Sequence, residues 1–321
     1  MEKNDAGVVS FYKTPVAQVQ SILQSEEVGR HFNSIKDKYE RYSNKENNLD
    51  IKRIRRFVKH ETGISVNCNV YVINEGGQEN LTDELKKMGA SLNLDGETHG
   101  MYDPSTNSVL VFNDKSPVVH MESIVVHEMI HSIGYKSQLV ESKNKSLRYI
   151  SKRSGLAVAG EKDYGESFEE GLAEHYAVKY RRKFADTGFF AELSKHMGRT
   201  VHGFYDIGGK ATLSFRDTDA TFDLPTGYLS VDSESIHSNL SQIFAYVFDL
   251  MNDAVYKKTD QNLEVLSLNA KRNPSRVKDL GGAIDAAIGK GTYLRFQKIL
   301  YSEESVKELA EFADIIKKSA G

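Results

Sequence analysis

Hydrophobic spacing divides the 321-residue chain into a mixed first half and a helical second half. Val16, Val19, Ile22 and Leu23, and later Ile51, Ile54, Phe57 and Val58, recur at the three- and four-residue intervals of an amphipathic helix. Residues 64–74, "ISVNCNVYVIN", alternate apolar and polar positions with β-branched side chains, which predicts a half-buried strand. Residues 99–114, "HGMYDPSTNSVLVFND", read as two short strands around a turn at Asp103-Pro104-Ser105. Ser116 as N-cap and Pro117 at the first helical position then open a helix that closes near Gly134. Lysines and serines across residues 136–154 predict an exposed connection, and a second helix follows over about residues 165–183. Residues 189–230 mix glycines, aromatics and β-like pieces such as "ATLSF". Beyond Ser233 the period is helical through "SQIFAYVFDLMNDAV", "RVKDLGGAIDAAIG", "LRFQKILY" and "VKELAEFADIIKKS".

Composition narrows the class. With 39% hydrophobic and 27% charged residues the chain has a globular make-up. A net charge of −3, from 42 basic and 45 acidic residues, gives no reason to expect a nucleic-acid partner. The basic groups Lys52–Arg53, Arg55–Arg56 and Arg181–Arg182–Lys183 are expected to be solvated helix faces. No run approaches the ~18 apolar residues of a membrane span, and the N-terminal residues lack a signal-peptide pattern, so a cytoplasmic location and no membrane partner are expected. Cys68 is the one cysteine, which rules out an intramolecular disulfide.

The chemistry begins at residues 125–135, "VVHEMIHSIGY". Residues four apart on a helix share a face, so His127 and His131 can direct imidazole nitrogens at one zinc ion. Glu128 stands beside them as a carboxylate to take a proton from water. Ile124, Val125, Met129, Ile130 and Ile133 are apolar, and a charged Glu128 in such a helix needs a role. The extended HxxGxxH form of the motif fails because residue 137 is serine, and a cysteine-ligand form would have to draw on Cys68, which sits in a strand-like context. In "ESFEEGLAEHYA", residues 166–177, Glu166, Glu170 and Glu174 fall on one stripe, an unfavourable stack unless a cation lies against it. Gly171 is expected to let this helix approach the histidine helix, and Glu174 to accept from a non-ligating nitrogen of His127 or His131. His175, a rival ligand, leaves the stripe and is expected to be exposed or to support a ligand.

The glutamate helix resembles the second zinc-binding helix of the gluzincin peptidases, which implies Glu170 as third ligand and Glu174 as the acid supporting a ligand histidine. Residues 231–250, "VDSESIHSNLSQIFAYVFDL", resemble the D-x4-H-x-N stretch of thermolysin and its relatives. That resemblance implies that His237 stabilises the oxyanion, with Asp232 orienting it, and Tyr228 or Tyr205 as additional donors. It also implies that the strand before the zinc helix, at His99, Gly100, Met101 and Tyr102, pairs with an extended peptide. The implied fold is α+β, a thermolysin-like zincin with a mixed α/β N-terminal lobe and a mainly helical C-terminal lobe. The expected division is residues 1–60 as a helical segment packed on the catalytic unit, 61–185 as the catalytic lobe and 186–321 as the helical lobe. The implied activity is a metallopeptidase with one Zn²⁺ per chain and a peptide or protein substrate. A zinc-binding regulatory protein without turnover and a hydrolase of non-peptide amides are the alternatives.

Overall fold

The computed structural model describes residues 9–12, 26–74, 76–88, 99–112, 115–143, 146–158, 164–186, 188–197, 201–203, 211–215, 220–225, 228–231, 237–299 and 302–320. The fold is mixed α/β, mostly helical, with small sheets. It comprises two compact units, residues 1–154 and 155–321. The division falls at Ser154, so the glutamate helix belongs with the C-terminal helices and not, as expected, with residues 61–185.

In the first unit, β1 (Val9–Tyr12) is followed by α1 (Glu26–Tyr42) and α2 (Ile51–Thr62). The expected helix carrying Val16, Val19, Ile22 and Leu23 lies outside the described residues. A three-stranded sheet has the order β2 (Asn69–Val72), β4 (Ser108–Val111), β3 (Gly100–Asp103), with β2 parallel and β3 antiparallel to β4. The strand is shorter than the alternation over residues 64–74 predicts. Just before it, side chains satisfy the backbone: Arg55 donates to the Cys68 carbonyl at 2.8 Å and Asn107 to the Asn67 carbonyl at 3.0 Å. Phe32, Ile35 and Tyr39 of α1 pack with Leu81 and Leu85 of α3 (Gly77–Lys87) and with Leu110 and Phe112. Tyr39 also donates to the buried Asp103 carboxylate at 3.0 Å, tying α1 to the β3–β4 turn.

The histidine helix, α4 (Val118–Ser132), packs on α2, β3 and β4. It starts one residue later than expected. Pro117 has ψ 138° and is the N-cap itself, and Ile133 caps the C-terminus ahead of Gly134. Glu122 is fully buried and bound by Arg53, and it accepts from the Asp50 backbone at 3.0 Å, which pins the start of α2 to α4. Residues 136–154, predicted as a connection from their lysines and serines, are strands instead. They form a hairpin of β5 (Lys136–Lys143) and β6 (Ser146–Ser154), and β1 pairs antiparallel with β5. Leu139 stands opposite Ile150 and Val140 opposite Tyr149, the strand-favouring core of a segment otherwise polar in composition.

The second unit opens with β7 (Ala157–Val158), joined to Tyr164 by two backbone hydrogen bonds, and α5 (Glu166–Phe184). Next come α6 (Phe189–Met197) and two strand pairs: β8 (Val201–Gly203) with β11 (Leu229–Val231), and β9 (Ala211–Phe215) with β10 (Ala220–Leu224). Helices α7 (His237–Thr259), α8 (Leu263–Arg272), α9 (Val277–Ala287), α10 (Thr292–Lys298) and α11 (Val306–Ala320) complete it. α5 packs on α7, and the expectation for Gly171 is corrected there. A Cβ on Gly171 would meet the Phe244 carbonyl oxygen at 2.9 Å, so the glycine serves close approach to α7. Phe168, Phe244, Phe248, Phe296 and Phe312 form the aromatic interior, with the rings of Phe296 and Phe312 stacked at 5.3 Å.

Charge is buried in pairs. Lys271 and Glu169 are both almost inaccessible and ion-paired, and the second Glu169 oxygen accepts from the Leu156 backbone at 2.9 Å. Arg181 is buried against Glu174 at 2.6 Å, so one of the expected solvated basic groups supplies a cation to the interior, while the partly exposed Arg53 reaches in to bind the buried Glu122. His175 is buried between two carboxylates. Its Nδ1 bonds Asp249, and its Nε2 lies 3.2 Å from Glu264, within ion-pair reach though poorly aligned for a hydrogen bond. Tyr228 donates to Asp249 at 2.6 Å and Lys179 to Glu264 at 2.6 Å. Burial acts to lower the His175 pKa, but Asp249 and Glu264 outweigh it and the net shift is upward. The reciprocal charges hold Asp249 low and bring Glu264 down to about 2.

Two predictions follow from this packing. A histidine whose folded pKa is raised stabilises fully below its unfolded value of ~6.5 and loses that contribution as pH rises through the folded value. Thermal unfolding of the full chain is therefore expected to show a midpoint that falls above about pH 6.5, with His175→Gln less stable at pH 6 and lacking that alkaline limb. Gly171→Ala is expected to lower stability, because overpacking costs about 1–3 kcal/mol while the propensity gain is at most ~1 kcal/mol. Denaturant titration of both proteins measures the difference.

Candidate metal centre

Helical spacing brings His127 and His131 onto one face of α4, and their Nε2 atoms approach to 3.0 Å. Two nitrogens bound tetrahedrally to one zinc at ~2.0–2.1 Å would sit roughly 3.3 Å apart, so the pair is close to ligand spacing. Glu170, in the second turn of α5, supplies a carboxylate oxygen. One ligand atom from each of His127, His131 and Glu170 lies within 4.8 Å of the others, and each residue is partly buried. Such a group could hold a metal ion, and two imidazoles with one carboxylate are a donor set that suits zinc. Among the described residues it comprises three protein ligands, the number found where a fourth position serves substrate or water.

Glu128 follows the first histidine and is 7% exposed. The strand β3 runs directly against it: a Cβ on Gly100 would stand 2.4 Å from Ile124 and 3.3 Å from the Glu128 side chain. The missing side chain thus lets β3 pack close against the stem of Glu128. His99, Gly100, Met101 and Tyr102 all lie on or beside β3, which pairs on one side with β4. Among the described residues no strand pairs on its other side. Tyr102 donates to Asn107 at 2.9 Å, and Lys136 lies over its ring, 3.5 Å from the centroid. Burial pulls the Lys136 amine down to about 7, while Asp103, Cys68 and Glu128 act in the opposite sense.

The remaining sequence candidates take varied places. Glu174 is buried and accepts from Arg181 and Gln242. His175 is not exposed: it is committed to Asp249 and Glu264 inside the second unit. Tyr228 is fully buried with its hydroxyl donating a hydrogen bond to Asp249, which leaves it no free O–H for an oxyanion. His237 is the first residue of α7, while Asp232 and Tyr205 lie outside the described residues. Cys68 is buried outside the metal group, and burial pushes its thiol up to about 11, the behaviour of a core residue. Sequence reasoning missed Lys136, whose only signal was a cation five residues after a ligand, and Gln242, which nothing in its helical context marks.

Compared with protein-family models, with curated proteins and with solved structures, the chain matches none. The reading therefore rests on the geometry itself.

Gly100→Ala tests the strand–helix approach. A methyl group cannot fit at 2.4 Å from Ile124, so β3 or α4 must shift. We expect a stability loss of about 1–3 kcal/mol in denaturant unfolding. A loss near zero would show that the strand is not held against Glu128.

Proposed function

We propose that this chain is a zinc-dependent metallopeptidase similar to the thermolysin-like gluzincins. The observation that carries the reading is the convergence of His127, His131 and Glu170, with Glu128 next to the first ligand and β3 packed beside it. His127 and His131 would hold the metal through ring nitrogens and Glu170 through a carboxylate oxygen. Zinc in such a site supplies Lewis acidity, which polarises a substrate carbonyl and makes water more acidic.

The chain's own residues do the rest. Glu128 accepts a proton from the attacking water on a carboxylate oxygen and returns it to the leaving amine nitrogen. Its burial supports that role, since bulk water has little access to compete for the proton. The outer edge of β3 binds the substrate as an added antiparallel strand, which favours an extended peptide over a compact amide. Gly100 keeps β3 packed close against Ile124 and Glu128 of α4. The thermolysin resemblance assigns oxyanion stabilisation to His237 and its orientation to Asp232, and Tyr228 has no part in it.

Glu128→Gln separates binding from turnover. The variant is expected to keep one zinc per chain by elemental analysis and to cleave a peptide library at least 10²-fold more slowly, the usual share of a general base. Glu170→Gln and His127→Ala are expected to lose zinc. Zinc retained by all three, or peptide cleavage unaffected in Glu128→Gln, would contradict the proposal. Zinc bound by the unaltered protein with no cleavage of any peptide would instead favour a regulatory zinc protein or another amide substrate.

A further inference from the structure

Lys136 is the first residue of β5 and belongs to none of the roles assigned so far. Its Nζ donates to the main-chain carbonyl of His131 at 2.9 Å and stands 3.5 Å from the centroid of the Tyr102 ring. His131 lies in the last turn of α4, where carbonyl oxygens have no intrahelical N–H partner. Such turns fray unless something outside the helix holds them. Tyr102 is itself fixed at its far end by the hydrogen bond to Asn107. One side chain thus touches the backbone of a metal-ligand candidate and the ring of a β3 residue.

We infer that Lys136 is a positioning residue, which locks the ligand-bearing end of α4 to β3 by joining the His131 carbonyl to the Tyr102 ring. The inference rests on the metal reading above. The hydrogen bond to the His131 carbonyl does not depend on the charge of the amine, because a neutral primary amine still has N–H groups to donate. Its consequence is that zinc affinity depends on two residues that do not ligate the metal. Tyr102, expected only to line a substrate strand, becomes the anchor for the second histidine.

Zinc affinity of the full chain, measured by competition with a chromophoric chelator, tests this directly. Lys136→Met and Tyr102→Leu are each expected to weaken zinc binding about tenfold, the lower end of what loss of a ligand's supporting contact costs. The double variant should be no weaker than either single one, because both remove the same bridge. Lys136→Arg should recover most of the affinity, since a guanidinium can donate to the carbonyl and stack on the ring. If the unaltered protein binds zinc and Lys136→Met binds it equally well, the inference fails and the metal reading stands. Additive losses in the double variant, or no rescue by arginine, overturn it in the same way. Should Lys136→Met not fold, unchanged affinity in Tyr102→Leu is sufficient to overturn it. An unaltered protein that binds no zinc ends both.

Discussion

Ion pairing inside a low-dielectric interior is the constraint on which both units depend. An ionised group taken from water without a partner costs several kcal/mol even after relaxation, and removing one member of a buried pair typically costs about 3–5 kcal/mol. The chain buries at least one member of each of four such pairings. Arg53 meets Glu122, Lys271 meets Glu169, Arg181 meets Glu174, and His175 meets Asp249 with Glu264 close by. Three of them join different elements: Glu122 fastens α2 to α4, Glu169 fastens α5 to α8, and His175 joins α5, α7 and α8. These are bonds of register more than of net stability, since well-packed apolar residues could fill the same volume at similar cost.

The metal group extends the same logic. Two histidines with Nε2 atoms 3.0 Å apart and a carboxylate within reach form a cluster that a divalent cation suits. α4 is held at its start by the Arg53–Glu122 pair, along its length by β3 and β4, and at its end by Lys136. A helix fixed at both ends gives its histidines little freedom to part, and preorganised ligands of this sort favour metal binding.

Much of the site was legible because its chemistry is local. His127, Glu128 and His131 follow from one helical turn, and the strands around Asp103 from alternation and a turn. Glu170 is singled out by the resemblance to the gluzincin glutamate helix, with which three glutamates on one stripe agree. What the sequence hid were long-range partners. Nothing near Tyr228 or His175 announces Asp249, so the tyrosine read as a possible oxyanion donor and the histidine as exposed or supporting. Gly171 signals close approach without saying to which helix. The β5–β6 hairpin was masked by its lysines and serines, although Leu139, Val140, Tyr149 and Ile150 carry the strand pattern. Basic runs such as Arg181–Lys183 read as solvent-facing, yet one member of that run is an interior cation.

The central claim is that two histidines and one glutamate hold a zinc ion with a position left for water. X-ray absorption at the zinc edge of the purified protein addresses it without reference to any substrate. The account predicts a shell of nitrogen and oxygen neighbours at about 2.0–2.1 Å with the outer scattering of two imidazoles. Absence of zinc, or a sulfur neighbour at about 2.3 Å that could come only from Cys68 or a methionine, would contradict it.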